Sequence, residues 1–111
     1  MTSFGGNGSP ASTVLIDDAP DLRHLVRICL ESSGDFVVVG QGGTGRDAID
    51  LAGRHRPALM LLDVSMPDMD GLEAIDDVRR ASPDTAILVF SGFSAGGLAQ
   101  RARELGAAAF I

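Results

Sequence analysis

The sequence contains no lysine, tryptophan or tyrosine, and its single cysteine is Cys29. One cysteine excludes an internal disulfide and favours a reducing compartment, so we expect a cytoplasmic protein. Nine arginines face fifteen acidic residues, and the net charge of −6 disfavours binding of this segment to nucleic acid. The longest apolar runs have five residues, whereas a membrane span needs about 20, and the amino terminus lacks a signal-peptide pattern. These absences predict an acidic globular domain without membrane contact.

The length of 111 residues predicts one domain, since single domains usually have about 100–150 residues. Residues 1–12 are rich in Gly, Ser and Asn and predict a flexible tail. In the remaining part, 13–111, short apolar runs alternate with amphipathic stretches. The runs lie at 13–16, 36–39, 58–62, 86–90 and 107–111. Each run has the length and aliphatic content of a buried strand.

The stretches between the runs show helical spacing. Four apolar residues of the first stretch fall at i, i+3, i+4 and i+7, namely Leu22, Leu25, Val26 and Cys29. This stripe predicts a helix that buries these side chains, the thiol included. Thr44 and Asp70 are placed to cap a second and a third helix, and a fourth is predicted over 95–105. Strand and helix thus alternate, which predicts an α/β fold, a doubly wound five-stranded parallel sheet.

Acidic residues stand where two of the predicted strands end. Asp17 and Asp18 follow the first strand, Asp63 follows the third, and Ser91 follows the fourth. Ligands of open α/β sheets bind at this end of the strands, so we expect these side chains to converge. Clustered carboxylates raise one another's pKa unless a cation is present, and Mg²⁺ suits carboxylates beside a phosphate. The cluster therefore predicts phosphoryl chemistry, with one carboxylate forming an aspartyl phosphate.

Four segments of the chain carry a resemblance to a known family. They are 14–18 (VLIDD), 61–71 (LLDVSMPDMDG), 89–92 (VFSG) and 105–111 (LGAAAFI). With these segments the chain resembles a response-regulator receiver domain of the CheY-like type, from residue 13 to the end. The resemblance implies the flavodoxin-like strand order 2-1-3-4-5 and a role in two-component signal transduction.

The resemblance also implies roles for individual residues. Asp63 would be the phosphoacceptor. Asp18 and Asp63 would ligate Mg²⁺ with the main-chain carbonyl of Ser65, and Asp17 would act through water. Ser91 would form a hydrogen bond with the phosphoryl group, and Phe110 would be the switch aromatic whose rotamer follows Ser91.

Partners follow from the same resemblance. A sensor histidine kinase would donate the phosphoryl group, and a carboxyl-terminal output domain outside this chain, often a DNA binder, would respond by controlling transcription. The family places a lysine at what would be position 113 and then a fifth helix, whereas the chain ends at Ile111. We therefore expect a receiver domain truncated before its last helix. The uncovered sheet surface and edge strand would allow a homodimer.

Three alternatives compete with this interpretation. The first is a Mg²⁺-dependent phosphohydrolase, although such enzymes place a second acid two residues after the nucleophile and this chain has Ser65 there. The second is a receiver-like interaction scaffold that is not phosphorylated. The third is a dinucleotide-binding module, because Gly40, Gly42 and Gly45 match Gly-x-Gly-x-x-Gly. That motif leaves the acidic cluster unexplained, so we expect the glycines to form an adaptable loop instead.

Overall fold

A computed structural model describes residues 9–63, 71–90 and 109–110. The strands are β1 (Ala11–Ile16), β2 (Phe36–Gly42), β3 (Leu59–Asp63), β4 (Ala86–Phe90) and β5 (Ala109–Phe110), and the helices are α1 (Pro20–Ser32), α2 (Gly45–His55) and α3 (Gly71–Ala81). All strand pairs are parallel, in the order β2-β1-β3-β4, with the two residues of β5 beside β4. The predicted α/β fold is confirmed, while the helix predicted over 95–105 lies outside the described residues. Among the helices that are described, each is too short or too polar to cross a bilayer.

The first two strands are longer than predicted. β1 begins at Ala11, inside the stretch predicted as tail, because Ala11 is buried, pairs with Phe36 and donates its N–H to the Asp35 carbonyl at 2.8 Å. β2 runs on to Gly42, which pairs with Ile16, so Gly40 and Gly42 belong to a strand and not to the predicted loop, while Gly45 begins α2. The register shifts by one residue between Thr13 and Val14, so the ladder continues past a bulge.

The core lies on the face of the sheet that α2 and α3 cover. Its buried members come from three strands and both helices: Val14, Ile16, Ala48, Ala52, Met60, Leu62, Ile75, Val78, Ile87 and Val89. The small side chains of Ala48 and Ala52 let α2 approach the strands closely. At Gly40 a Cβ would lie only 3.0 Å from Leu51 Cδ2 of the same helix. Burial of this apolar surface supplies most of the stabilisation of the fold.

The first helix does not bury the stripe that its sequence predicts. Every side chain of α1 is at least partly exposed among the described residues, with Leu25 57% exposed and Cys29 also exposed. The half-buried side of the helix carries Arg23, Val26 and Leu30. The prediction of a buried thiol was therefore wrong. Apolar spacing marked the side chains that can be buried, but it could not tell which of them face another element.

The start of α2 is closed by its own side chains. Thr44 is the N-cap and accepts the Asp47 N–H at 3.0 Å, while the Asp47 carboxylate accepts the Gly43 N–H at 3.0 Å. This exchange resembles a capping box and satisfies donors that a bound pyrophosphate would need. At its other end α2 stops at Arg56, which adopts the left-handed conformation with φ 42°. The predicted start of this helix is confirmed.

Candidate metal centre

Parallel pairing brings the predicted acidic residues together. Ile16 pairs with Leu62, so the residues that come next, Asp17 and Asp63, lie side by side at the carboxyl edge of the sheet. One carboxylate oxygen from each of Asp17, Asp18 and Asp63 lies within 4.8 Å of the other two. The convergence predicted from the strand ends is thus present for all three aspartates.

The three carboxylates differ in their access to water. Asp17 is 4% exposed and Asp63 is 6% exposed, whereas Asp18 is open to solvent. Burial raises the pKa of Asp17, and the negative charges of Asp63 and Asp18 raise it further. The Ala19 N–H, which donates to Asp17 Oδ1 at 2.9 Å, opposes that rise. The site is therefore a cluster of carboxylates that is buried at Asp17 and Asp63 and open to solvent at Asp18.

The donor set fits a hard divalent cation. Mg²⁺ binds oxygen ligands at 2.0–2.1 Å in octahedral geometry, so opposite ligands stand about 4 Å apart. The aspartate oxygens lie within 4.8 Å of one another, and a cation among them would favour the ionised form of Asp17 that burial and the neighbouring charges disfavour. Waters and a phosphate oxygen are the usual further ligands of Mg²⁺. Asp17, Asp18 and Asp63 could therefore hold this ion, directly or through water.

Sequence analysis missed one residue that contacts the main chain beside the aspartate cluster. Arg23, in the first turns of α1, donates from Nη1 to the Asp17 carbonyl at 2.6 Å and towards the Gly42 carbonyl at 3.3 Å. The Asp17 N–H also donates to Gly42, at 3.0 Å. The one available hint was a basic residue five positions after Asp18, which by itself does not distinguish a tether from a solvated side chain.

The remaining predicted site residues lie wholly or partly outside the described structure. Ser65 and Ser91 lie outside the described residues. The backbone of Phe110 belongs to β5, where it pairs with Val89, but its side chain lies outside the described part of the chain. Their roles stay predictions.

Comparisons with known proteins give a consistent result. The nitrate/nitrite response regulator protein NarL of Escherichia coli K12 is 44% identical over 85 residues, which are 77% of this chain and 39% of that protein. The signal receiver domain of the response regulator NarL from Mycobacterium tuberculosis is 34% identical in sequence. Its structure superposes with a TM-score of 0.86 over 92% of this chain and 82% of that chain.

A third relative, a response regulator from Burkholderia pseudomallei, was solved with a phosphorylated aspartic acid, a calcium ion and citrate. It is 26% identical, with a TM-score of 0.83 over 90% of this chain and 58% of that chain. The chain spans less than half the length of several curated relatives that it matches. The family model of the response regulator receiver domain matches residues 13–111. Together with the parallel sheet and its aspartate cluster, this match shows that the chain belongs to the response regulator receiver domain family.

Proposed function

We propose that this chain is the phosphoacceptor module of a two-component response regulator, with Asp63 as the residue that accepts the phosphoryl group. The observation that carries the proposal is the meeting of three carboxylates at the carboxyl edge of the sheet, two of them buried. Asp18 and Asp63 would ligate Mg²⁺ together with the Ser65 carbonyl, and Asp17 would act through water. Ser91 and Phe110 would transmit the change.

The transfer needs little beyond positioning. An oxygen of the Asp63 carboxylate attacks the phosphorus of a phosphohistidine, so that an O–P bond forms while the N–P bond of the donor breaks. The imidazole leaves with the electron pair of that bond and takes a proton from water. Mg²⁺, when bound, offsets the negative charge on the phosphoryl oxygens. Burial of Asp63 limits competing water, while the exposed side at Asp18 leaves a path for the donor.

The Burkholderia relative supports this assignment, because its structure combines a phosphorylated aspartic acid with a divalent ion. The proposed donor is a sensor histidine kinase in the cytoplasm. The chain is then a signalling acceptor that assists its own phosphorylation, without turnover of a separate substrate. An output domain elsewhere in the protein would respond by regulating transcription. Two copies could also associate along β2, an edge strand on which Val37 and Val39 are exposed.

The test is phosphorylation by a small-molecule donor. The chain is incubated with Mg²⁺ and acetyl phosphate or phosphoramidate and is then weighed intact. We expect a gain of about 80 Da, one phosphoryl group, that requires Mg²⁺ and disappears in Asp63→Asn. Asp50→Asn, on the exposed side of α2, is the matched control because it makes the same change of charge away from the site and should keep the gain.

Other outcomes would favour the alternatives. An unmodified, folded wild-type chain would overturn the proposal and favour an interaction scaffold. Continuous release of phosphate from a phosphomonoester would favour a hydrolase. A gain that persists in Asp63→Asn would move the acceptor to another residue.

A further inference from the structure

We infer that Arg23 is a positioning residue for the metal centre, acting through the main chain of Asp17 rather than through the charge of its guanidinium. The inference rests on the proposed function, since it assumes that Asp18 and Asp63 hold Mg²⁺. It assigns a role to a residue of α1 that touches neither the ion nor the phosphoryl group.

The first step of the argument is the place where strand pairing ends. The Asp17 N–H donates to the Gly42 carbonyl at 3.0 Å and extends the pairing of β1 with β2 by one residue past Ile16. Beyond it the Asp17 carbonyl accepts from Arg23 Nη1 at 2.6 Å, and the same nitrogen lies 3.3 Å from the Gly42 carbonyl. One guanidinium nitrogen therefore continues the ladder by one step, where a strand partner would otherwise be needed.

The second step concerns the peptide that this contact holds. The Asp17 carbonyl belongs to the peptide group that joins Asp17 to Asp18, so its orientation sets the direction in which the chain presents Asp18. The Asp17 side chain is held separately, by the Ala19 N–H at 2.9 Å. Asp18 is exposed, and Arg23 is the side chain seen to orient the peptide before it among the described residues. Residues that do not touch the metal orient its ligands through hydrogen bonds in this way, and the loss of such a bond typically weakens metal binding 10–100-fold.

The third step is the space that the guanidinium occupies. A Cβ on Gly43 would lie 3.2 Å from Arg23 Nη1, 3.6 Å from the Asp17 carbonyl oxygen and 3.7 Å from the Asp18 Cα. The glycine thus leaves room for the guanidinium against the acidic corner. Gly43 gives a second way to disturb the same contact without removing the arginine.

The matched control is available on the same helix. Arg27 is one turn further along α1, and its contact in the structure is an exposed ion pair with Glu31 at 3.1 Å. Arg27→Met and Arg23→Met remove the same charge from α1, but only the second breaks the contact with Asp17. Methionine also keeps an apolar stem against Leu15 and Val26, which line a small cavity with Arg23.

The experiment measures the dissociation constant of Mg²⁺ by calorimetric titration of the 111-residue chain and compares it with unfolding in EDTA. We expect the constant to rise about tenfold in Arg23→Met. It should rise by less in Arg23→Lys, which keeps a cationic donor on a different side chain, and should not change in Arg27→Met. The Asp18 and Gly43 amide signals in Mg²⁺-free NMR spectra should move in Arg23→Met and keep their positions in Arg27→Met.

An unchanged dissociation constant in folded Arg23→Met would overturn the inference, and so would an equal loss in Arg27→Met, which would indicate charge alone. If Arg23→Met does not fold, Gly43→Ala decides: weaker Mg²⁺ binding supports the inference, and wild-type binding overturns it. Failure of the proposed function is distinguishable, because the wild-type chain would then bind no Mg²⁺, or would bind it equally well as Asp63→Asn.

Discussion

The two faces of the sheet hold their helices by different means. On one face α2 and α3 bury apolar side chains against the strands and against each other, with Ala48, Ile75 and Val78 fully buried. On the other face the side chains of α1 are all at least partly exposed among the described residues, and Ile28 is 48% exposed. The comparison teaches that amphipathic spacing is not sufficient for burial, because an apolar stripe also needs a second surface to cover it.

Two polar contacts help to attach α1 to the sheet. Near its start Arg23 donates to the Asp17 carbonyl, and near its end the Glu31 carboxylate accepts the Val38 N–H at 3.1 Å. The second contact satisfies one main-chain donor on the edge strand β2. Both contacts are directional, and the second also depends on the ionisation of the Glu31 carboxylate, whereas the apolar packing of α2 and α3 has neither property.

The largest expected effect compares one substitution on both faces. Ile75→Ala in α3 removes a fully buried side chain and should lower the free energy of unfolding by about 3 kcal/mol. Ile28→Ala in α1 should change it by less than about 0.5 kcal/mol, because the side chain is half exposed and alanine is the better helix former. Urea unfolding measures both. Equal losses would mean that α1 is packed as tightly as α3.

A second comparison uses Gly42, at the end of β2, and Gly53, within α2. A Cβ on Gly42 would overlap Asp47, so Gly42→Ala should displace the side chain that caps the helix and cost about 1–3 kcal/mol. A Cβ on Gly53 would meet Ala81 at an ordinary 3.9 Å, so Gly53→Ala should stabilise the protein by about 0.5–1 kcal/mol. Thermal unfolding should show shifts of opposite sign. A stabilised Gly42→Ala would contradict the close approach.

The acidic corner gives a third prediction, in which the sign depends on Mg²⁺. The pKa of Asp17 is raised above its ordinary 3.8, so its contribution to stability is fully present below that value and is lost as pH rises through the folded pKa. Asp17→Asn should therefore stabilise the Mg²⁺-free protein at neutral pH, since asparagine keeps an acceptor for the Ala19 N–H.

The same variant should lose most of the stabilisation that Mg²⁺ gives the wild-type chain, and that stabilisation should grow as pH rises from 4 towards 7. Thermal unfolding with Mg²⁺ and with EDTA across this range measures both effects. A destabilised Asp17→Asn in EDTA at pH 7 would argue against the repulsion among the three aspartates.

The smallest effect concerns the contact between Glu31 and β2. The Val38 N–H and then Arg27 lower the pKa of Glu31 below its ordinary 4.5, so its contribution is present above that value and is lost as pH falls through the folded pKa. Glu31→Gln should remove this acid-dependent part and shift the unfolding midpoint at pH 7 by less than Gly53→Ala does. Unfolding at pH 3 and pH 7 checks it, and an unaltered pH profile would show that the contact contributes nothing.

The fold was predictable because its determinants are local. The run at 86–90 predicts β4 with the bounds that the structure has, and Thr44 predicts the start of α2. Boundaries were less predictable where glycine and alanine carry the strand. Ala11 and Gly42 join β1 and β2 through main-chain pairing, which the side chains at these positions do not predict.

The aspartate cluster was also predictable from the sequence, although its members are far apart along the chain. Asp17 and Asp63 stand directly after apolar runs, and parallel strands bring such positions to one edge of a sheet whatever the details of packing. Arg23 was not predictable in the same way. Its partners are main-chain carbonyls, which every residue possesses, so the sequence contains no pattern that marks them.

By itself, then, the sequence determined the alternation of strands and helices, the receiver family and the residue types that gather at the metal centre, because these depend on periodicity and on positions along the chain. The tertiary structure alone decided that α1 leaves Leu25 and Cys29 exposed and that Arg23 reaches the Asp17 carbonyl. Both depend on the distance and direction between elements. This distance and direction are fixed only when the helices pack on the sheet.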